Sequence, residues 1–219
     1  MKNFRKLALA LFLCLVSLFA VACNDDKGDD IGDSDEVELD LTLDAGLAGL
    51  CADTNVYLTT LGQSDLAVVQ NLVKTAGAES NVTTNNLLNA SDVVSPAGKK
   101  AVVLMVTGSS GKGLGAAGVD WQSEKTRGEA FAAKAEAGEI ELVVLHIGKK
   151  PRRGTTTDPI LDVVCPAAKV MLIVNGTDVA NGANFDGYFS NSSKTNSVPV
   201  YFYSSATKLV TPIKTLFNL

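Results

Sequence analysis

The chain has 219 residues, of which 46% are hydrophobic and 20% are charged, and its formal net charge is −5. This length suits a single domain with a sizeable hydrophobic core. The acidic balance argues against a nucleic-acid-binding protein, since such proteins need a basic surface.

The N-terminus has the pattern of a secretory signal peptide, which we assign to residues 1–22. Lys2, Arg5 and Lys6 precede an apolar run from Leu7 to Ala22. That run has about sixteen residues, fewer than the roughly twenty that a membrane-spanning helix needs. We therefore expect the segment to be cleaved rather than kept as an anchor helix.

The tetrad Ala20-Val21-Ala22-Cys23 resembles the lipobox of bacterial lipoproteins, with Ala rather than the commoner Leu at its first position. The resemblance implies cleavage after Ala22 and acylation of Cys23, for example by palmitate. Because each buried methylene group adds about 0.8 kcal/mol, this lipid would hold the protein firmly to the membrane. We expect an exported lipoprotein of the cell envelope that faces the periplasm. Ordinary cleavage that leaves a soluble protein is the alternative.

An acidic segment follows the predicted lipid anchor. Residues 24–44 contain ten acidic residues and one basic residue, Lys27, whereas 15 basic and 14 acidic residues follow from position 45. We interpret residues 23–52 as the lipidated cysteine and a solvated spacer, and residues 53–219 as a single near-neutral domain. Apolar and polar residues alternate over 37–44, as in a strand at a sheet edge or an extended tether.

Short β-branched apolar runs alternate with longer helix-like segments in the domain. Three runs are apolar on both faces, as central parallel strands covered by helices must be. The pattern predicts an α/β three-layer sandwich, flavodoxin-like or Rossmann-like, with a mostly parallel sheet of about five strands. The predicted strands are Val56–Thr60, Ala101–Thr107, Ile140–Ile147, Val170–Asn175 and Val198–Tyr203.

Helices are predicted from apolar periodicity and from capping residues, such as Asp120 before and Gly138 after the longest of them. A short strand and turn are expected within Asn81–Asn89. The predicted helices are Asp65–Ala76, Trp121–Ala137, a segment near Ile160–Cys165, a segment near Gly187–Lys194, and Thr207 to the C-terminus.

Two cysteines, Cys51 and Cys165, remain after Cys14 leaves with the signal and Cys23 is acylated. An exported protein can meet an oxidising compartment, so a disulfide between them is one possibility. Two separately buried thiols are the other, because a pair of cysteines alone specifies no geometry.

Loops that follow the predicted strands are rich in glycine, small hydroxyls and cations. In an open parallel sheet, ligands bind beyond the carboxyl ends of the strands. Backbone N–H groups and guanidinium groups bind carboxylates and phosphates well, so we predict a site for a small anion. Tight turns and a solvated basic loop are the alternative. The candidate ligand-binding residues are Gln63, Ser64, Ser109, Ser110, Lys112, Gly113, His146, Arg152 and Arg153.

The glycine-rich segment 108–118 does not predict a nucleotide cofactor. Gly108-Ser-Ser-Gly-Lys-Gly has Gly113 where a Walker A loop has its Ser or Thr. Gly113-Leu-Gly-Ala-Ala-Gly118 matches a dinucleotide-binding pattern, but its strand ends five residues too early, and the next strand lacks the acid that binds the ribose. We therefore expect no cofactor.

His146 is the sole histidine. It is a candidate general base for a hydrolase with Ser109 or Ser64 as nucleophile, although neither serine lies at a telling spacing from it. A structural histidine is the alternative interpretation. One histidine also argues against a transition-metal site.

Several strings in the chain are similar to those of an uncharacterised domain family of exported bacterial α/β proteins. The resemblance covers roughly residues 55–217. The family usually has Gly-Gly at positions 148–149 and Ser-Asp at positions 157–158, where this chain has Gly-Lys and Thr-Asp. The resemblance implies no activity. It rests on Thr59–Ser64, Gly108–Gly118, His146–Gly154 and Asp186–Phe189.

Three functional hypotheses follow. The first is a lipid-anchored, non-catalytic binding protein for a small anionic solute, which serves a transporter or a sensor. The second is an exported hydrolase that uses His146. The third is a structural or interaction lipoprotein of the envelope. An enzyme is the less favoured class, because no set of residues identifies a reaction.

Overall fold

The computed structural model describes residues 38–174 and 187–219. The predicted signal peptide, Cys23 and the acidic segment up to residue 37 lie outside the described residues, as do residues 175–186, which include the end of the predicted strand Val170–Asn175. None of the described helices has the length and hydropathy of a membrane-spanning segment.

The described residues form one sheet of six strands, all parallel, in the order β2-β1-β3-β4-β5-β6. The predicted α/β class is therefore confirmed, and the strand beyond the five listed above lies where a short strand was expected, within residues 81–89. The order of the first five strands is that of flavodoxin-like doubly wound sheets. The strands are β1 (Val56–Leu61), β2 (Val82–Thr84), β3 (Ala101–Thr107), β4 (Ile140–His146), β5 (Val170–Val174) and β6 (Val200–Tyr203).

Helices cover both faces of the sheet. Alternate residues of β3 point to opposite faces, and they divide the core in two: Val102, Leu104 and Val106 pack in one cluster, and Val103 and Met105 in the other. Helices α1 and α6 contribute to the first cluster, and α3, α4 and α5 to the second. The helices are α1 (Leu66–Thr75), α2 (Gly111–Ala117), α3 (Trp121–Glu136), α4 (Asp158–Val164), α5 (Tyr188–Asn196) and α6 (Val210–Phe217).

Helix α2 differs from the expectation that residues 108–118 form a loop. Its sequence contains three glycines, which destabilise a helix by up to about 1 kcal/mol each relative to alanine. The Ser110 side chain caps it by accepting a hydrogen bond from the Gly113 N–H at 3.2 Å. Local capping and tertiary packing thus override a weak propensity.

The segment after residue 38 is part of the folded unit. Leu39 forms an isolated parallel bridge with Phe202 on β6, and the Asp40 N–H donates to the Phe202 carbonyl at 2.9 Å. Leu43 and Leu47 are buried in the core. Apolar residues of the predicted spacer therefore pack in the first core cluster.

Cys51 and Cys165 are free, buried thiols. They belong to core clusters on opposite faces of the sheet. Burial raises the pKa of Cys51 to about 12 and also raises that of Cys165. The possibility of a disulfide between them is thus not realised, and both thiols remain protonated and unreactive at neutral pH.

Candidate functional site

The loops after β1 and β3 are joined by backbone hydrogen bonds at the carboxyl edge of the sheet. The order of strands reverses at β1, so the loops after β1 and β3 flank the switch point where doubly wound proteins bind ligands. Gln63 and Ser109 form an antiparallel bridge, and the Ser110 N–H donates to the Gly62 carbonyl at 3.0 Å. These bonds fill the crevice between β1 and β3 with protein backbone.

This close approach requires glycine at two positions. A Cβ atom on Gly62, whose φ is +94°, would lie 2.4 Å from the Gly108 carbonyl oxygen. A Cβ atom on Gly113 would lie 2.1 Å from the Gln63 carbonyl oxygen. Gly113, one of the glycines of segment 108–118, therefore allows α2 to pack against the β1 loop.

A buried ion pair on α3 holds the loop after β1 in position. Glu124 and Arg127 form an (i, i+3) pair at 2.9 Å, with side chains 1% and 10% exposed. The Glu124 carboxylate accepts hydrogen bonds from the Gly62 N–H at 2.8 Å and from the Gln63 amide at 3.0 Å. The carboxylate thus fixes both the backbone and the side chain of this loop.

Arg127 reaches both the end of β1 and the loop after β2. Its guanidinium donates to the carbonyl oxygens of Thr60, Asn86 and Leu88. Guanidinium groups suit this task because they carry several donors in a fixed plane. One side chain therefore fixes the separation between the end of β1 and the loop after β2.

This pair was not predicted, although the sequence carries a signal for it. Glu124, Gly128 and Phe131 follow the 3.6-residue period of one helix face, and Phe131 is fully buried. A charged residue on such a face needs a buried partner. Arg127 stands three residues after Glu124 and so can supply that partner on the same helix.

An open cavity of about 760 Å³ lies at the carboxyl ends of β1 and β2. One wall comes from the β1 loop and the first turns of α1, and the other from β2 and the loop that follows it. Gln63 and Asn86 connect these walls: the Gln63 side-chain amide donates to the Asn86 backbone carbonyl at 3.3 Å, and the Asn86 side-chain amide donates to Gln63 Oε1 at 3.4 Å. The lining residues are Thr60, Gln63–Ala67, Gln70 and Thr83–Asn86.

Asp65 links this cavity to the predicted cationic loop. Its Oδ2 atom accepts a hydrogen bond from Ser64 Oγ at 2.8 Å and lies 3.6 Å from Nε of Arg152. Arg152 itself is not among the lining residues. Arg152, which was predicted to bind an anion, therefore pairs with the Asp65 carboxylate and does not line the cavity.

The predicted hydroxyl residues hold the loops together. Ser64 Oγ lies 2.8 Å from the Gly108 carbonyl, and Ser109 Oγ donates to the Thr156 carbonyl at 3.0 Å. Ser110 caps α2, and Lys112 is exposed on that helix. Of the nine candidate residues, Gln63 and Ser64 line the cavity.

Arg153 lies in a different environment from Arg152. It forms an ion pair with Asp158, with hydrogen bonds of 2.6 and 3.2 Å, and its guanidinium carbon lies 3.9 Å from the ring centre of Tyr188. Burial favours a higher pKa for Asp158, but the Arg153 hydrogen bond and the Gly154 N–H outweigh it and lower that pKa. Arg153 thus joins the β4 loop to α4 and α5.

His146 ends β4 and is fully buried. Its Nε2 lies 3.1 Å from the Lys149 carbonyl oxygen and its Nδ1 lies 3.4 Å from Thr107 Oγ1. Burial lowers its pKa to about 4, so the ring is neutral at pH 7. These bonds favour the structural interpretation of this histidine over the catalytic one.

The described residues contain no group of three or more His, Cys, Asp or Glu side chains placed to hold a metal ion. Hydroxyls, amides and the Asp65–Arg152 pair are the polar groups that the structure gathers at the cavity. Their chemistry suits hydrogen bonding to a solute.

No curated protein and no solved structure matches the chain. One family does, with a match over residues 53–217, which is about three-quarters of the sequence. The chain therefore belongs to the family described as a domain of unknown function, DUF6305.

Proposed function

We propose that this protein is a lipid-anchored, non-catalytic binding protein of the bacterial cell envelope, and that it takes a small polar solute into the cavity between β1 and β2. The observation that carries the proposal is the cavity itself. Its 760 Å³ fall within the range of small-molecule sites, and it lies at the carboxyl edge where parallel sheets bind ligands.

The walls of the cavity are held in position before any ligand arrives. Gln63 is fixed by Glu124, and the backbone of Asn86 is fixed by Arg127. A site whose walls are already ordered loses less conformational entropy when a ligand binds. This favours a binding protein over a purely structural one.

A small anion is the second candidate for the solute. Leu66 and Ala67 line the cavity and begin α1, and the first N–H groups of a helix have no partner within that helix. Such groups attract anions. The nearby Asp65 carboxylate opposes an anion, which is why we place this candidate second.

Hydrolysis receives less support from the contacts. The Ser64 and Ser109 hydroxyls lie within hydrogen-bond distance of carbonyl oxygens, and His146 has no exposed surface for a substrate to reach. Delivery of a bound solute to a transporter or sensor of the envelope remains part of the proposal.

A thermal-shift screen of the mature protein tests the binding role. The panel contains sugars, polyols, amino acids, carboxylates, phosphates and polyamines. A ligand at about one hundred times its Kd stabilises a protein by about 2.7 kcal/mol, so we expect a rise in Tm of about 5 °C or more. The binding proposal fails if no compound raises the Tm.

Two neighbouring positions on α1 provide a matched pair of variants. Ala67→Trp places a large ring in the cavity, because Ala67 is an exposed lining residue. Val68→Trp places the same ring on a 42% exposed residue that does not line it. Loss of ligand stabilisation in the first variant alone locates the binding site in this cavity. Equal loss or equal retention in both places it elsewhere.

A further inference from the structure

The side chains that line the cavity share one chemical character. Asp65 is the only charged residue among the described residues that line it. Leu66 and Ala67 supply a small apolar area, and the remaining side chains end in carboxamides or hydroxyls. Both of these groups donate and accept hydrogen bonds, as a ligand hydroxyl also does. The hydroxyls of Thr60 and Ser64 already contact carbonyl oxygens, whereas Gln70, Thr83 and Thr84 are exposed and can meet a ligand. The neutral polar residues are Thr60, Gln63, Ser64, Gln70, Thr83, Thr84, Asn85 and Asn86.

The one charge in the lining is already balanced. Asp65 and Arg152 lie 3.6 Å apart, with side chains 19% and 37% exposed. Their charges sum to zero at neutral pH. A charged ligand group that leaves water for the cavity needs a partner there, and an unpaired one is costly.

We infer that the cavity takes an uncharged, hydroxyl-rich solute, a sugar or another polyol, and that the Asp65–Arg152 pair sets this preference. The inference rests on the proposed binding function and names its ligand class. An anion meets the Asp65 carboxylate first, because Asp65 lines the cavity and Arg152 does not. An amine has to compete with the Arg152 guanidinium for that carboxylate. A neutral polyol leaves the ion pair intact.

Isothermal titration calorimetry with sets of related probes that differ in charge tests the ligand class. The probes are glucose, galactose and ribose, each with its aldonic acid and its amino sugar, together with glycerol, inositol and maltose. The mature protein is purified in a polyoxyethylene detergent, which carries no sugar. We expect at least one uncharged probe to bind, and its anionic and cationic counterparts to bind at least about tenfold more weakly.

The outcomes separate this inference from the proposed function. If a charged probe binds more tightly than its uncharged counterpart, or if only charged compounds bind, the ligand class is wrong and the binding role survives. If no probe and no compound of the thermal-shift panel binds, both are wrong.

Two single-charge variants test the role of the ion pair. Asp65→Asn leaves the Arg152 charge unbalanced, so the affinity for the aldonic acid should rise at least about fivefold relative to the neutral sugar. Arg152→Gln leaves Asp65 unbalanced and should favour the amino sugar to a similar degree. Lys169→Gln is the control. Lys169 is exposed just before the amino end of β5, whereas the cavity lies at the carboxyl ends of β1 and β2, so this variant should change neither ratio.

Each variant is first checked for its Tm. Arg152 is partly exposed, so Arg152→Gln retains a folded test even if Asp65→Asn unfolds. Unchanged selectivity in the folded variants would overturn the assignment of the ion pair.

Discussion

The carboxylate of Glu124 lies 3.0 Å from the side-chain amide of Gln63 and receives the hydrogen bond that this amide donates. Glu124 thus fixes one wall of the cavity, although it stands 61 positions after Gln63 in the chain.

Replacement of Glu124 by Ala should strongly destabilise the fold, because it leaves the Arg127 charge buried without its partner. We expect the free energy of unfolding to fall by about 3–5 kcal/mol. Denaturant titration measures it. Glu129→Ala is the matched control, since Glu129 forms an exposed ion pair with Lys125 on the same helix and should cost less than about 1 kcal/mol. Similar losses in the two variants would contradict a structural role for the buried pair.

Gly113→Ala should disturb the contact between α2 and the β1 loop. Its Cβ atom would lie 2.1 Å from the Gln63 carbonyl oxygen, so backbone must shift, at a cost of about 1–3 kcal/mol. Gly115→Ala in the same helix has nothing within 4 Å and should stabilise the protein by up to about 1 kcal/mol. Thermal unfolding of both variants checks the opposite signs, and a stabilising Gly113→Ala would show that the contact is loose.

Acidification should destabilise the protein through His146. In the unfolded chain this histidine binds a proton below about pH 6.5, whereas in the fold its pKa is about 4. The unfolded state therefore binds more protons between these values, and stability falls as the pH decreases through this window. The shift corresponds to a loss of about 3 kcal/mol that is complete below pH 4.

The variant His146→Gln lacks this titration. Unfolding experiments from pH 7 to pH 4 should show that the stability advantage of the natural protein over the variant shrinks with acidification. A constant difference across that window would mean that the histidine is not held neutral. Carboxylates distant from His146, such as Asp120, contribute equally to both proteins.

Leu47→Ala should reveal that the N-terminal segment belongs to the fold. Leu47 is 5% exposed and packs in the core, so its truncation should cost about 2–5 kcal/mol. Leu41 in the same segment is 45% exposed, and Leu41→Ala should cost less than about 1 kcal/mol. If both substitutions have equal and small effects on the free energy of unfolding in urea titrations, this segment is not part of the folded core.

Cys23→Ser tests the lipid anchor. We expect the natural protein to sediment with membranes and to take up labelled palmitate, and the variant to do neither, because a single thiol carries the acyl attachment. Cys51→Ser is the control, since that thiol is buried and should leave membrane association unchanged. Membrane association of Cys23→Ser would contradict the lipobox interpretation.

The central strands were predictable because burial on both faces requires an unbroken run of apolar residues, which is visible in the sequence. β3 is buried at all seven positions, and its Val, Leu and Met side chains form an uninterrupted apolar run. β2 gives a weaker signal, since it has three residues and only Val82 is apolar. The sequence therefore predicted a strand in that region without its bounds.

Helix α2 and the N-terminal segment were harder to predict because tertiary contacts decide them. The composition of α2 favours a loop, and the capping by Ser110 and the close packing of Gly113 become evident only in the fold. The alternation of residues 37–44 predicted a strand or a tether. In the described part, 38–44, one bridge at Leu39 pairs with β6 before the chain turns under the sheet.

The candidate site was predictable in position but not in composition. Strand-end loops pointed to the carboxyl edge, and Gln63 and Ser64 do line the cavity there. The cations were harder to place, because nothing in the sequence shows that Asp65 lies beside Arg152 and Asp158 beside Arg153. The pairing of Asp65 with Arg152 across a long sequence distance requires the topology of the sheet, whereas Arg153 and Asp158 are five positions apart and pair through the local bend of the chain after β4.

The bridge between Leu39 and Phe202 also determines how the protein bears a mechanical load. Tension from an anchored N-terminus would enter the sheet at β6, whereas the cavity lies at β1 and β2, four strands away at spacings of about 4.8 Å. Such tension would peel the 39–47 segment from the edge before it reached the loops around Gln63. If the N-terminus is anchored as proposed, the 39–47 segment would yield to tension before the cavity changes shape.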